Sequence, residues 1–342
     1  MIVCLLPMLT VSANAMEFTA PEVPDSGERW MPEEPESFGE GLISILREAG
    51  VLIRPSIHSA AENCLCLVGI SMLLAVVKLM PGAPERVLEL TGILCTASIL
   101  LGPSGSMIRL GAQTVKELSE YGKLLFPVLT AALAAQGGSA TSAAIYAGTL
   151  AFDAVLSMLI GQLIVPMIYI FLCLSVIHSA TSQELLGKMK DFTKWLMTWA
   201  LKIVLYVFTG YMGITGVITG TADAAALKAT KLAISGMVPV VGGILSDTSE
   251  AILVGAGVMK SAVGVYGLLA VLAVWIEPFI RIGSMYLLLK LSFGLSGIFP
   301  SKGIASVIKD FSGAMGMLLA MTGTICLLLL VSVVCYMKGV GS

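Results

Sequence analysis

Charge is what this chain has least of. Only 12% of its 342 residues are Asp, Glu, Lys or Arg, roughly half of the ~25% usual in soluble domains. Histidine is scarcer still: His58 and His178 are the full complement, each near the end of an apolar run. Nucleophilic and zinc catalysis both draw on histidine, so two interfacial copies argue against either. There is no G-x-x-x-x-G-K-[ST], no H-E-x-x-H and no G-x-S-x-G, which removes P-loop nucleotide hydrolysis and the commonest hydrolase signatures. Gly255-Ala256-Gly257 lacks the third glycine of a dinucleotide fingerprint. The bases are scattered and form no stripe, so nothing reads as a nucleic-acid face. The expectation is a protein with no catalytic residues, no metal site and no cofactor.

Cysteine is modest and apolar in setting. Of the seven, Cys4 falls in the N-terminal apolar stretch and Cys64, Cys66, Cys95, Cys173, Cys326 and Cys335 lie in or beside hydrophobic runs. Buried cysteine packs as a small hydrophobe. Cys64-Leu65-Cys66 has no second pair to complete a metal site.

Apolar sequence is what fills the chain: 57% hydrophobic residues, 36 glycines and a mean hydropathy of +0.94. Apolar runs of about 20 residues recur from Asn63 almost to the C-terminus and lack period-2 alternation. Lipid admits only helices and closed barrels, and this pattern selects helices. The fold class expected is an all-α polytopic membrane protein with about six through-going helices plus two hairpins, re-entrant or full, giving 6–10 spans.

Residues 1–15, MIVCLLPMLTVSANA, read as a signal peptide ending in Ala13-Asn14-Ala15. No Lys or Arg precedes its apolar core, a departure from the usual n-region. Residues 16–40 hold eight acids against the single base Arg29; that composition predicts a disordered extracytoplasmic leader. Residues 41–60 have helical apolar spacing and read as an amphipathic interfacial helix. Residues 61–111 form a hairpin of two spans, 63–80 and 87–101, the second ended by Gly102-Pro103-Ser104-Gly105.

A tandem duplication is expected beyond this point, with repeat 1 at 112–223 and repeat 2 at 224–342. An offset of 112 aligns Lys116 with Lys228, Pro127-Val128 with Pro239-Val240, and Pro166 with Pro278. With seven further residues inserted, Lys190-Asp191-Phe192-Thr193 meets Lys309-Asp310-Phe311-Ser312. Each unit opens its membrane part with a short apolar segment, 124–135 or 237–245, followed by a polar tip. At about 1.5 Å per residue such a segment falls short of a ~30 Å core, so each hairpin is either re-entrant, as at transporter sites, or two tight spans. Each unit ends in a final span, 195–218 or 313–336. With the leader outside, basic loops bearing Lys78 and Arg86, then Lys188, Lys190 and Lys194, then Lys302 and Lys309, all fall inside.

Ionisable residues at membrane depth are functional candidates because each costs about 2.5 kcal/mol or more at a helix centre. They are Asp153, Asp247, Glu250, Glu277 and Arg281. Glu277 and Arg281 are four apart, so an ion pair on one helix face is expected. Gly210, Gly213, Gly216 and Gly220 form a smooth stripe suited to close helix packing, within the fold or against a partner.

The stretch 231–290 is where the chain resembles a known family. Val238-Pro239-Val240-Val241-Gly242, Leu245-Ser246-Asp247 and Lys260-x-Ala262-Val263-Gly264 are similar to the most recognisable part of the stage III sporulation protein AE family. The leader and the remaining hydrophobic pattern extend the resemblance over essentially the whole chain. It implies a multi-pass protein of the mother-cell membrane around the forespore, in an endospore-forming bacterium. It also implies a channel-like secretion complex whose partners are the other stage III sporulation proteins, the AA–AH set, including a secretion-type ATPase and ring-forming proteins. The expected role is a platform or conduit in that complex. The alternative is a small-solute transporter with duplicated re-entrant hairpins.

Overall fold

The computed structural model describes residues 20–32, 37–82, 84–135, 139–237, 242–299 and 301–338, the side chains of 215–260 and of 338 excepted. All its regular elements are helical: α1 (Asp25–Glu28), α2 (Phe38–Lys78), α3 (Glu85–Ala135), α4 (Ser139–Leu159), a π turn (Ile160–Ile164), α5 (Val165–Thr181), α6 (Glu184–Met237), α7 (Gly242–Ser296) and α8 (Lys302–Lys338). Counting α4 through α5 as one, six are long and apolar enough to cross a membrane. The chain is therefore the all-helical polytopic membrane protein that its composition predicts.

Contacts fix the helix directions. Ser71 of α2 donates to Ser296 of α7, while Ile45 and Ala49 of α2 cluster with Leu269, Ala273 and Ile276 of α7, so the two helices run parallel. Along α3 and α8, Gly92 faces Ile304, Gly111 faces Met321 and Gly122 faces Leu329, again parallel. Thr149 and Ser175 meet Ser332 and Asp310 respectively, so α4–α5 is antiparallel to α8. The links 79–84, 182–183 and 297–301 consequently share one end of the bundle, with the neighbouring bases Lys78, Arg86, Lys188, Lys190, Lys194, Lys302 and Lys309.

The core lies along α7 and α8. The most apolar windows of these two helices are 61% and 56% buried, against 22–33% for the other four. Local devices hold the basic end together. Glu89 Oε1 of α3 accepts from the Gly303 N–H at 3.3 Å, placing a carboxylate on the otherwise unpaired first turn of α8. The two-residue link after α5 turns through Ser182 in the left-handed region (φ 55°), its N–H bonded to His178 O at 2.7 Å. His178 Nδ1 lies 2.9 Å from Gln183 O, so this histidine braces a turn.

Several expected boundaries move. The amphipathic helix at 41–60 and the first span are one 41-residue helix, which passes through Pro55. Gly102-Pro103-Ser104-Gly105 ends nothing: α3 continues through it for 51 residues. Proline removes one N–H, but packing of the same helix face on α8 before and after it, at Gly92 and Gly111, holds the axis together. Residues 124–135 are thus the last three turns of α3, not a short free-standing segment, and they lead to a return helix starting at Ser139. Residues 238–241 lie outside the described residues, and the second tip, 246–250, falls within α7.

The leader also departs from expectation over residues 20–32. Trp30 is 3% exposed and clusters with Ile45, Ala49, Leu269, Ala273 and Ile276. Gly27 comes so close to Val274 that a Cβ would clash with its Cγ2. Acidic composition predicted disorder, but Val23, Trp30 and Met31 supply the apolar surface that seats the segment on α7. Residues 1–19, including the candidate signal peptide, lie outside the described residues.

Candidate functional site

Asp153, one of the ionisable residues singled out at membrane depth, is 1% exposed. Ser119 Oγ of α3 donates to its Oδ2 at 2.6 Å. Its Oδ1 is buried without a partner, and so is Ser157 Oγ one helical turn on. The π turn begins three residues after Ser157; such i→i+5 turns are rare and frequently accompany functional sites. The neighbourhood is aromatic: Phe152 meets the Phe208 ring edge-on at 5.4 Å, and Tyr211 lies beyond.

A second polar cluster occupies the basic end. Lys190 Nζ of α6 lies 2.7 Å from Asp310 Oδ2 of α8, the two side chains only 10% and 12% exposed. Ser175 Oγ of α5 donates to the same oxygen at 2.7 Å. Three helices thereby converge on one carboxylate. Sequence reasoning did not single out this pair, although both residues sit in the Lys-Asp-Phe motifs that suggested the duplication. The lysine comes from the first motif and the aspartate from the second.

Glu277 and Arg281 form the expected ion pair, Oε1 to guanidinium nitrogen 2.8 Å, half-exposed on the arginine side. Arg281 also borders a cavity of about 210 Å³ between α2, α3 and α7, with Ser56, Ser59 and Asn63 across from it. Asp247 and Glu250 fall within α7, their side chains outside the described residues. Pro127 and Pro278 sit inside helices, Pro166 in the first turn of α5, and Pro239 outside the described residues.

The glycine stripe does not pack within the fold over its described part. A Cβ at Gly210 or Gly213 would meet nothing within 4 Å, and Tyr206, Val207 and Ile214 beside them are exposed. Gly216 and Gly220 continue along α6, their surroundings outside the described side chains. Close packing relies on other glycines: Gly148 against the Tyr211 ring, Gly267 against Leu125, and Gly303 against Ile93. At the basic end of α6, Phe192, Trp195 and Trp199 stack at 5.8 and 5.7 Å on an exposed face, the setting of an aromatic belt at a membrane–water boundary.

Six long apolar helices, basic links at one end and polar side chains bonded helix to helix define an integral membrane protein of the multi-pass helical class. Among the described residues no three His, Cys, Asp or Glu side chains gather as a metal site. The chain belongs to the stage III sporulation protein AE family, whose model matches residues 50–339. It is 22% identical over 185 residues to the stage III sporulation protein AE of Bacillus subtilis strain 168, a stretch covering 54% of this chain and 46% of the relative. No solved structure matches.

Proposed function

We propose that this chain is a multi-pass membrane subunit of a sporulation channel or secretion complex between mother cell and forespore, acting as platform or conduit and not as an enzyme. The observation that carries the reading is the family match over residues 50–339 on a chain with six candidate spans. A chain without a nucleotide-binding motif takes energy from a partner, and a secretion-type ATPase with ring-forming proteins is the partner set this role requires. The α6 face supports assembly: small residues allow another helix to approach closely, and Gly210 and Gly213 stand open there. For the transporter alternative, the first of the two short segments, 124–135, is part of a continuous long helix, while residues 238–241 of the second, 237–245, lie outside the described residues.

Affinity purification from sporulating cells tests the proposal. Co-purification of a secretion ATPase and ring proteins is the expected result, lost when Gly210 and Gly213 are both replaced by leucine. A chain that purifies alone and moves a solute across liposomes overturns it.

A further inference from the structure

We propose that the α3–α4 interface holds a binding site for one small cation, a proton or a sodium ion, on Asp153 Oδ1. The two oxygens of this carboxyl group are unequally satisfied. Oδ2 is bonded to Ser119 Oγ at 2.6 Å, while Oδ1, in a residue 1% exposed, has no partner. A carboxylate with one donor in an apolar bundle is badly compensated, whereas a cation on the second oxygen removes the uncompensated charge. A further oxygen is at hand: Ser157 Oγ, also buried and unpartnered, sits four residues on and so on the same face of the helix.

The surroundings limit what else could neutralise the group. From α3 it faces Ser119 and, one turn further, Lys123, which is exposed and within electrostatic reach only. From α6 the level of Asp153 is occupied by Phe208 and Tyr211. The nearest α6 base, Lys202, lies about two turns before that level and is exposed. From α8 the corresponding polar group is Ser332, held by Thr149; Lys302, Lys309 and Asp310 are at the other end of that helix, and Lys338, at the near end, has its side chain outside the described residues. The ligand atoms are carboxylate and hydroxyl oxygens without nitrogen or sulfur, which suits a proton or a hard alkali ion and not a transition metal. The π turn at Ile160–Ile164 gives the helix a place to change register when the site fills or empties.

The test is thermal unfolding of the purified full-length chain in detergent, wild type against Asp153→Asn. Asparagine keeps an oxygen acceptor for Ser119 and cannot bind a cation by charge. With sodium replaced by choline, the wild-type Tm is expected to fall by several degrees from mildly acidic to mildly alkaline solution, with Asp153→Asn much flatter. Sodium added at alkaline pH then separates the two ligands: recovery of the wild-type Tm assigns a sodium ion, and no recovery assigns a proton. Should Asp153→Asn fail to fold, Ser119→Ala serves instead, and its Tm is expected to depend on the cation more steeply than that of wild type. Profiles of wild type and variant that superimpose over both pH and sodium overturn the proposal.

Discussion

Lys190 and Asp310 show what a single residue can carry in this molecule. A buried charge left without its partner costs far more than the pair contributes. Replacing Asp310 with leucine therefore strands the Lys190 ammonium and also removes the acceptor for Ser175 Oγ. The loss is expected to be about 3–5 kcal/mol, read as reduced Tm and reduced accumulation in the membrane. The double change Lys190→Met with Asp310→Leu is expected to recover most of it, since an apolar pair of similar volume fits the same site. A double variant as unstable as the single one would mean that Ser175, and not the charge pair, governs this corner. Glycines obey the same local logic. Tyr211 is tethered by its hydroxyl to Ala144 O at 2.9 Å, so its ring cannot swing away from a new Cβ at Gly148. Gly148→Ala is expected to cost about 1–3 kcal/mol by overpacking, whereas Gly210→Ala stays within about 0.5 kcal/mol of wild type. Comparative Tm measurements distinguish the two positions.

At the scale of elements, the leader poses the sharpest question. Its hold on α7 depends on Trp30, the largest buried side chain of residues 20–32, and on the close approach of Gly27. Trp30→Ala is expected to release the segment, so that limited proteolysis removes it while the helical bundle stays intact. Cleavage no faster than in wild type would show that Val23 and the Ser26–Glu117 hydrogen bond suffice. The same element shows where reading the sequence stops. Counting charges in 16–40 gives disorder, because composition averages over positions, whereas over 20–32 a buried tryptophan and its apolar neighbours outweigh Glu22, Asp25 and Glu28. The glycine-proline run at 102–105 misleads for a related reason: breaker rules weigh local backbone preference, while α3 is held by a neighbour more than two hundred residues away. The Glu277–Arg281 pair was legible because both partners lie on one helix at a fixed spacing. Ser119 with Asp153, and Lys190 with Asp310, were not, because nothing local specifies which faces of separate helices meet.

The whole molecule is longer than a bilayer is thick, and that makes its placement a testable matter. A helix of 51 residues such as α3 extends roughly 76 Å at about 1.5 Å per residue, against a ~30 Å hydrocarbon core. Two features locate one boundary. Phe192, Trp195 and Trp199 form an exposed ladder at the start of α6, and the bases beside links 79–84, 182–183 and 297–301 gather at the same end. Aromatic belts mark a membrane–water boundary and short basic loops the cytoplasmic side, so the expected orientation has α3, α6 and α8 leaving that face and α2, α4–α5 and α7 returning to it. Because the helices exceed the core, the ends of the bundle far from the basic links are expected to project beyond the opposite boundary. Single cysteines in a cysteine-free background read this arrangement directly. Met80→Cys, Gln183→Cys and Phe299→Cys are expected to react with a membrane-impermeant maleimide only once the cytoplasmic side is opened. Ser37→Cys and Ser139→Cys are expected to react in intact cells. If the three link positions divided between the two sides, an odd number of crossings would separate them and the six-span arrangement would fall. If they reacted together from outside, the span count would stand and the orientation would invert, placing the leader in the cytoplasm.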